Sequence, residues 1–204
     1  MKAHVLFSGG KDSSLSAILL EPFFDIELVT CSFSVLPVGD IAREVAYELG
    51  FNYRVLSLDR DILNSALEMV IEDGYPSNAI NYIHKNAIET LATEPDVHVV
   101  VDGIRRDDRV PKLDISQVRS IEDRSGIDYI CPLRGFGRSA VNKLVDTYLQ
   151  IEEGQSDKIT KADYETELRQ IIRDKYGTEK VLDIFPDHIQ SHVIKRKRRS
   201  GTSI

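Results

Sequence analysis

The sequence predicts an α/β fold: a parallel sheet of five strands in the order 3-2-1-4-5, followed by a helical C-terminal extension. Three observations carry this reading. Residues 4–7 and 97–101 are near-continuous apolar runs, the pattern of strands buried on both faces. Between such runs lie segments with apolar residues at helical spacing, for example 38–49, which closes at Gly50. Adjacent glycines, Gly9 and Gly10, follow the first run directly, as a turn from strand into helix requires.

Each element follows in turn. Residues 4–7 form the first strand, and 13–20 the first helix, with Asp12 or Ser13 as cap and Pro22 near its end. Residues 25–33 are a β-rich second strand, 38–49 a helix and 53–58 an alternating third strand. Asp61 caps a helix through residue 71, and 78–91 form another. The fourth strand, 97–101, ends at Asp102-Gly103. A short helix at 116–122 leads to the fifth strand, 127–131. Strands alternating with helices imply βαβ units. In the order 3-2-1-4-5 the connection reverses beside strand one, which puts a ligand crevice at the carboxyl ends there. Beyond residue 138 the pattern is helical, at 140–150 and 161–175, with a polar break at 155–160. The chain therefore divides into a main domain, 1–150, and an extension, 151–204, ending in a basic tail.

Composition narrows the class. The 204 residues suffice for a substantial core, and the two cysteines, Cys31 and Cys131, imply a reducing cytoplasm rather than a disulfide framework. No apolar run reaches the roughly 20 residues of a membrane span, and the N-terminus reads as a core strand, not a signal peptide. The formal charge is −7, and residues 195–199 contribute +5 of it, leaving −12 for the rest. That balance argues against a broad nucleic-acid surface and leaves a local basic tail.

The chemistry centres on Ser8-Gly9-Gly10-Lys11-Asp12-Ser13-Ser14. Small residues let several amides converge, and the positive end of the following helix points at the same place, which suits a phosphate. This is not a P-loop, because Val5 stands where the first glycine belongs and Asp12 follows Lys11. Nor is it a dinucleotide fingerprint, whose glycines are not adjacent. The order Ser-Gly-Gly-x-Asp-Ser after the first strand resembles the PP-loop of the ATP pyrophosphatases, the adenine nucleotide α-hydrolase-like superfamily.

That resemblance implies a Rossmann-like fold of the HUP type, ATP and Mg²⁺ as cofactors, and attack on the α-phosphate with release of pyrophosphate. It assigns nucleotide binding to Phe7, Ser8, Gly9, Gly10, Lys11, Asp12, Ser13 and Ser14, to Phe33 at the second strand's end, and to Asp102, Gly103 and Arg105. Lys11, Asp12 and Asp107 become the catalytic residues, and Asp12, with Asp102 as an alternative, contacts the metal. RNA is a frequent acceptor among relatives, so the basic tail is an expected RNA contact. The competing reading is a nucleotide-binding sensor like the universal stress proteins, which carry their glycine loop near the last strand. A third is a subunit that assembles with a partner or with a second copy.

Further features stay secondary. Cys31 and Cys131 both fall at strand carboxyl ends, where some tRNA thiolases keep a sulfur-carrying pair, but buried inert thiols account for them more simply. Gly135 to Ala140 fits a relaxed dinucleotide pattern and reads as a turn into a helix, with Arg138 near a phosphate site. His188 and His192 have metal-ligand spacing without a third ligand, and His84 reads as a surface or capping histidine.

Overall fold

The computed structural model describes residues 1–155, 161–185 and 189–197. Five parallel strands, β1 (Lys2–Leu6), β2 (Asp25–Ser32), β3 (Asn52–Ser57), β4 (Val99–Val101) and β5 (Asp128–Ile130), form a sheet in the order β3-β2-β1-β4-β5. The expected fold class and strand order are thus observed. The cause is visible in the alternation along each strand. Val29 and Cys31 face one apolar layer with Val100, whereas Leu28, Val5, Val99 and Val101 face the other. In β1 and β4, covered on both faces, no polar alternation survives and they read as apolar runs, whereas the edge strand β3 keeps exposed positions at Asn52, Val55 and Ser57.

On one face lie α1 (Lys11–Leu20), α2 (Val38–Leu49) and α6 (Arg138–Tyr148). On the other lie α3 (Arg60–Asp73), α4 (Ser77–Ala92), α5 (Ile115–Ser125), α7 (Tyr164–Tyr176) and α8 (Thr178–Ile184). Two caps differ from expectation. Helix α1 starts at Lys11 with Gly10 as N-cap and no side-chain cap; the Ser13 and Ser14 hydroxyls donate back to the Gly10 carbonyl instead. Helix α3 is capped by Asp59, whose carboxylate accepts the Asp61 amide at 2.9 Å.

The extension carries helices α7 and α8, and also a feature that the pattern did not disclose. The expected helix over 140–150 stops at Tyr148, and β6 (Leu149–Gln155) pairs antiparallel with β7 (Ile189–Arg196). Leu149 and Ile151 turn inward while Gln150 and Glu152 face out, a period of two too short to outweigh the helical run before it. Helix α7 places Leu168 and Ile172 in the same apolar layer as Ile83 and Ile88 of α4. Of the polar break at 155–160, Gln155 ends β6, while residues 156–160, His188 and the tail beyond residue 197 lie outside the described residues. Among the described residues no helix is long and apolar enough to cross a membrane.

Candidate functional site

The chain leaves β1, passes Gly9 at φ +74°, a backbone state that side chains disfavour, and enters α1 one residue later. Strand β4 ends beside this turn. A Cβ on Gly103 would stand 3.0 Å from the Ser13 amide nitrogen and 3.1 Å from its Cα, so only glycine lets the β4 end approach the first turn of α1. A cavity of about 430 Å³ opens between them, within the range of small-ligand sites. Its apolar lining comes from Leu6, Val29, Cys31 and Ile80, and its cations are Lys11, Arg105, Arg138 and Lys161. Carboxylates are interleaved with these cations, those of Asp12, Asp102, Asp108, Glu153, Asp163 and Glu165, so the cavity joins an apolar floor to a rim of mixed charge.

The C-terminal segments fasten onto the turn. The Ala162 amide donates to the Ser8 carbonyl at 3.2 Å, and the Val193 amide to the Gly9 carbonyl at 3.3 Å. The Lys11 amide donates to Ser191 Oγ at 3.4 Å. Lys11 is buried, and its Nζ lies 2.8 Å from Glu153 Oε1 on β6. The side chain of Lys161 takes the place over the turn, with Nζ 3.8 Å from where a Gly10 Cβ would be. Nothing in the local sequence marked Lys161, because its approach to Gly10 depends on how the extension folds back.

Asp12 lies in the first turn of α1, 3.6 Å from Arg105 Nε, and its Oδ1 is buried without a hydrogen-bond partner. Burial pushes its carboxyl above the usual carboxylate range, Asp108 adds to this, and Arg105, Lys11 and Lys161 oppose it. An orphaned hard oxygen of this kind fits Mg²⁺, which takes one or two carboxylates together with substrate phosphates. Among the described residues no group of three His, Cys, Asp or Glu side chains forms a self-sufficient metal site.

Asp102 is placed differently from a metal ligand. Its Oδ2 accepts His84 Nε2 at 2.6 Å and the Tyr129 hydroxyl at 2.7 Å. Burial raises its carboxyl, yet the His84 charge and the hydrogen bonds from His84, Tyr129 and the Gly103 amide hold it below the usual range. The other ring nitrogen of His84 meets the Tyr164 hydroxyl. His84 is therefore a buried cavity residue, not a surface or capping one, and Tyr164 on the cavity wall completes an Asp–His–Tyr chain.

The remaining candidates separate. Phe7, Ser8 and Ser13 line the cavity, while Gly9, Gly10 and Ser14 shape the turn behind them. Arg105 lines it too, tied to Asp108 at 3.0 Å. Asp107 does not line it; this exposed carboxylate accepts the Arg138 amide at 2.9 Å at the start of α6. Phe33 is buried away from the lining, and its amide donates to Glu167 Oε2 at 2.9 Å. Glu167, fully buried on α7, also takes Val35 N–H at 2.8 Å and the Ser32 hydroxyl at 3.1 Å. The cysteines line separate cavities, and burial pushes Cys31 up to about 12 and Cys131 up to about 11, far from thiolate chemistry.

A parallel sheet with this order defines a Rossmann-like α/β protein, and its cavity lies at the carboxyl ends where the order reverses. The chain belongs to the family of unknown function DUF7411, which it matches over residues 1–195. It is 44% identical over 199 residues to an uncharacterised protein of Methanocaldococcus jannaschii, covering 97% of this chain and 98% of that protein. Among solved structures it is similar to a predicted subunit of tRNA methyltransferase from Methanocaldococcus jannaschii. There the TM-score is 0.88 at 42% identity, covering 98% of this chain and all of that one. It shares its fold with the U34-tRNA thiolase NcsA of Methanococcus maripaludis, solved with its [4Fe-4S] cluster. That match has a TM-score of 0.51 at 15% identity, over 90% of this chain and 70% of the other.

Proposed function

We propose that this protein binds ATP in the 430 Å³ cavity and uses it to adenylate an RNA acceptor, releasing pyrophosphate. The observation that carries the reading is that the Ser8–Ser13 turn, Lys11, Lys161 and Asp12, whose buried Oδ1 lacks a partner, meet at one cavity with apolar lining. Leu6, Val29 and Ile80 offer the apolar contact for a base. The start of α1 and the two lysines offer the positive field that the phosphates need.

Within this reading Lys161 neutralises the phosphates directly, and Lys11 joins it once the contact with Glu153 yields. Asp12 would hold Mg²⁺ through its unpartnered oxygen, and the metal would supply charge neutralisation on the departing pyrophosphate. Arg105 and Arg138 border the same space and suit anionic groups of the acceptor. The His84–Asp102 pair fixes the Tyr164 hydroxyl on the cavity wall, so that wall has one preset polar contact. The likeness to a predicted tRNA methyltransferase subunit, and the fold shared with a tRNA thiolase, support RNA as the acceptor. Sulfur carriage by this chain's own thiols is not part of the reading, because both cysteines are held protonated and apart.

Titration calorimetry with ATP and Mg²⁺ tests the binding step. The wild type should bind, and Lys161→Met should weaken binding about tenfold, the loss of one charge-assisted contact. A wild-type protein that takes up no ATP would overturn the proposal.

A further inference from the structure

A second, smaller cavity of about 150 Å³ adjoins the first, and Ile104 and Arg105 line both. Its walls carry Arg106 and Lys112 from the β4–α5 connection, and Arg134 from the β5–α6 connection. The two connections are bonded together: the Arg106 amide donates to the Phe136 carbonyl at 3.0 Å, and the Arg138 amide to Asp107 at 2.9 Å. The guanidinium of Arg106 reaches over Gly137, within 2.7 Å of where a Cβ would stand.

Charge is unevenly spent here. Arg105 is neutralised by Asp108, but Arg106, Lys112, Arg134 and Arg138 are exposed and form no ion pair among the described residues. On a chain whose net charge is −7 this is a concentrated positive patch. Amid it, between two glycines, the Phe136 ring is 40% exposed. In the C-terminal basic run, Arg196 is paired with Glu21 and lies over Phe51, and Lys197 Nζ donates to the Asp146 carbonyl at 2.6 Å.

We infer that the paired β4–α5 and β5–α6 connections are a docking surface for single-stranded RNA, with phosphates on Arg106, Arg134, Lys112 and Arg138 and a base stacked on Phe136. Guanidinium groups match phosphate oxygens bidentately, and an exposed ring among cations is the usual platform for an unpaired base. Because Arg105 lines both cavities, a nucleotide held there lies next to the space assigned above to ATP. The assignment rests on the reading that the acceptor is RNA, and it replaces the tail with the loops as the contact.

Fluorescence anisotropy with a short labelled single-stranded RNA of mixed sequence tests it, over a salt series. The double variant Arg106→Ala, Arg134→Ala should bind at least tenfold more weakly. Its log–log salt slope should be about 1.4 shallower, about 0.7 for each lost phosphate contact on a single strand. Phe136→Ala should weaken binding about tenfold at unchanged slope, with Phe136→Tyr restoring it. All three side chains are exposed, so melting temperatures should not move. Wild-type affinity in the double variant would overturn the surface. So would a loss seen only on Lys195→Ala with Lys197→Ala. Arg106, Arg134 and Phe136 do not line the larger cavity, so ATP titrations of the same variants separate the two proposals. RNA binding that depends on the patch, in a protein that binds no ATP, sinks the nucleotide reading and leaves this one standing.

Discussion

Replacing Glu167 by alanine should unlatch the C-terminal extension from the sheet. The carboxylate is fully buried and accepts three hydrogen bonds, from Phe33 N–H at 2.9 Å, Val35 N–H at 2.8 Å and the Ser32 hydroxyl at 3.1 Å. Ser32 can find another acceptor by rotating, but the two amides are fixed by the backbone. Leaving a buried donor unpaired costs about 1–3 kcal/mol, so two such amides set a loss of about 4 kcal/mol, with a further contribution from the cavity left behind. Glu167→Gln keeps an oxygen for Val35 and Ser32 and turns an amide group toward Phe33 N–H, which predicts a smaller loss of about 1–2 kcal/mol. Urea unfolding at neutral pH, read by circular dichroism with a common m-value, measures both. The graded order is the signature of the acceptor role. Alanine and glutamine variants within about 0.5 kcal/mol of the wild type would refute it, because surface substitutions commonly give shifts of that size.

Other predictions concern the site itself. Gly103→Ala should destabilise by about 1–3 kcal/mol in a thermal melt and weaken ATP binding, since its Cβ would press on the Ser13 backbone, which cannot rotate away. Asp102→Asn should lower stability at neutral pH and flatten its acid dependence. The folded carboxyl sits below its ordinary 3.8, so its contribution is fully present above pH 3.8 and lost as pH falls through the lower folded value. Urea midpoints at pH 7 and below pH 4 read this directly. Glu153→Gln should free Lys11 and tighten ATP binding two- to threefold by calorimetry; its half-exposed position limits the gain to a few tenths of a kcal/mol.

The turn was legible because every part of its signal is local: a buried strand, two glycines and small polar residues in consecutive positions. The sheet order was legible for a related reason, since strands buried on both faces announce themselves as short apolar runs. What escaped was whatever depends on the chain returning from a distance. Glu167 meets Phe33 across 134 positions, and Ser191 meets Lys11 across 180, and no pattern in either neighbourhood implies the other. Strand β6 escaped because its few inward residues let the preceding helical spacing run on to residue 150, and β7 because its exposed Ile189 and Ile194 blur the alternation. His84 was misread for the opposite reason. A histidine among apolar residues at helical spacing looks incidental until Asp102 and Tyr164 are seen against its two nitrogens.

The central claim is α-phosphate chemistry at the Ser8–Ser13 turn, and the direct measurement is separation of nucleotide products after incubation with ATP, Mg²⁺ and cellular RNA. AMP and pyrophosphate are the expected products, increased by RNA and abolished in Asp12→Ala while that variant stays folded. ADP and phosphate as products, or undiminished turnover in Asp12→Ala, would contradict it.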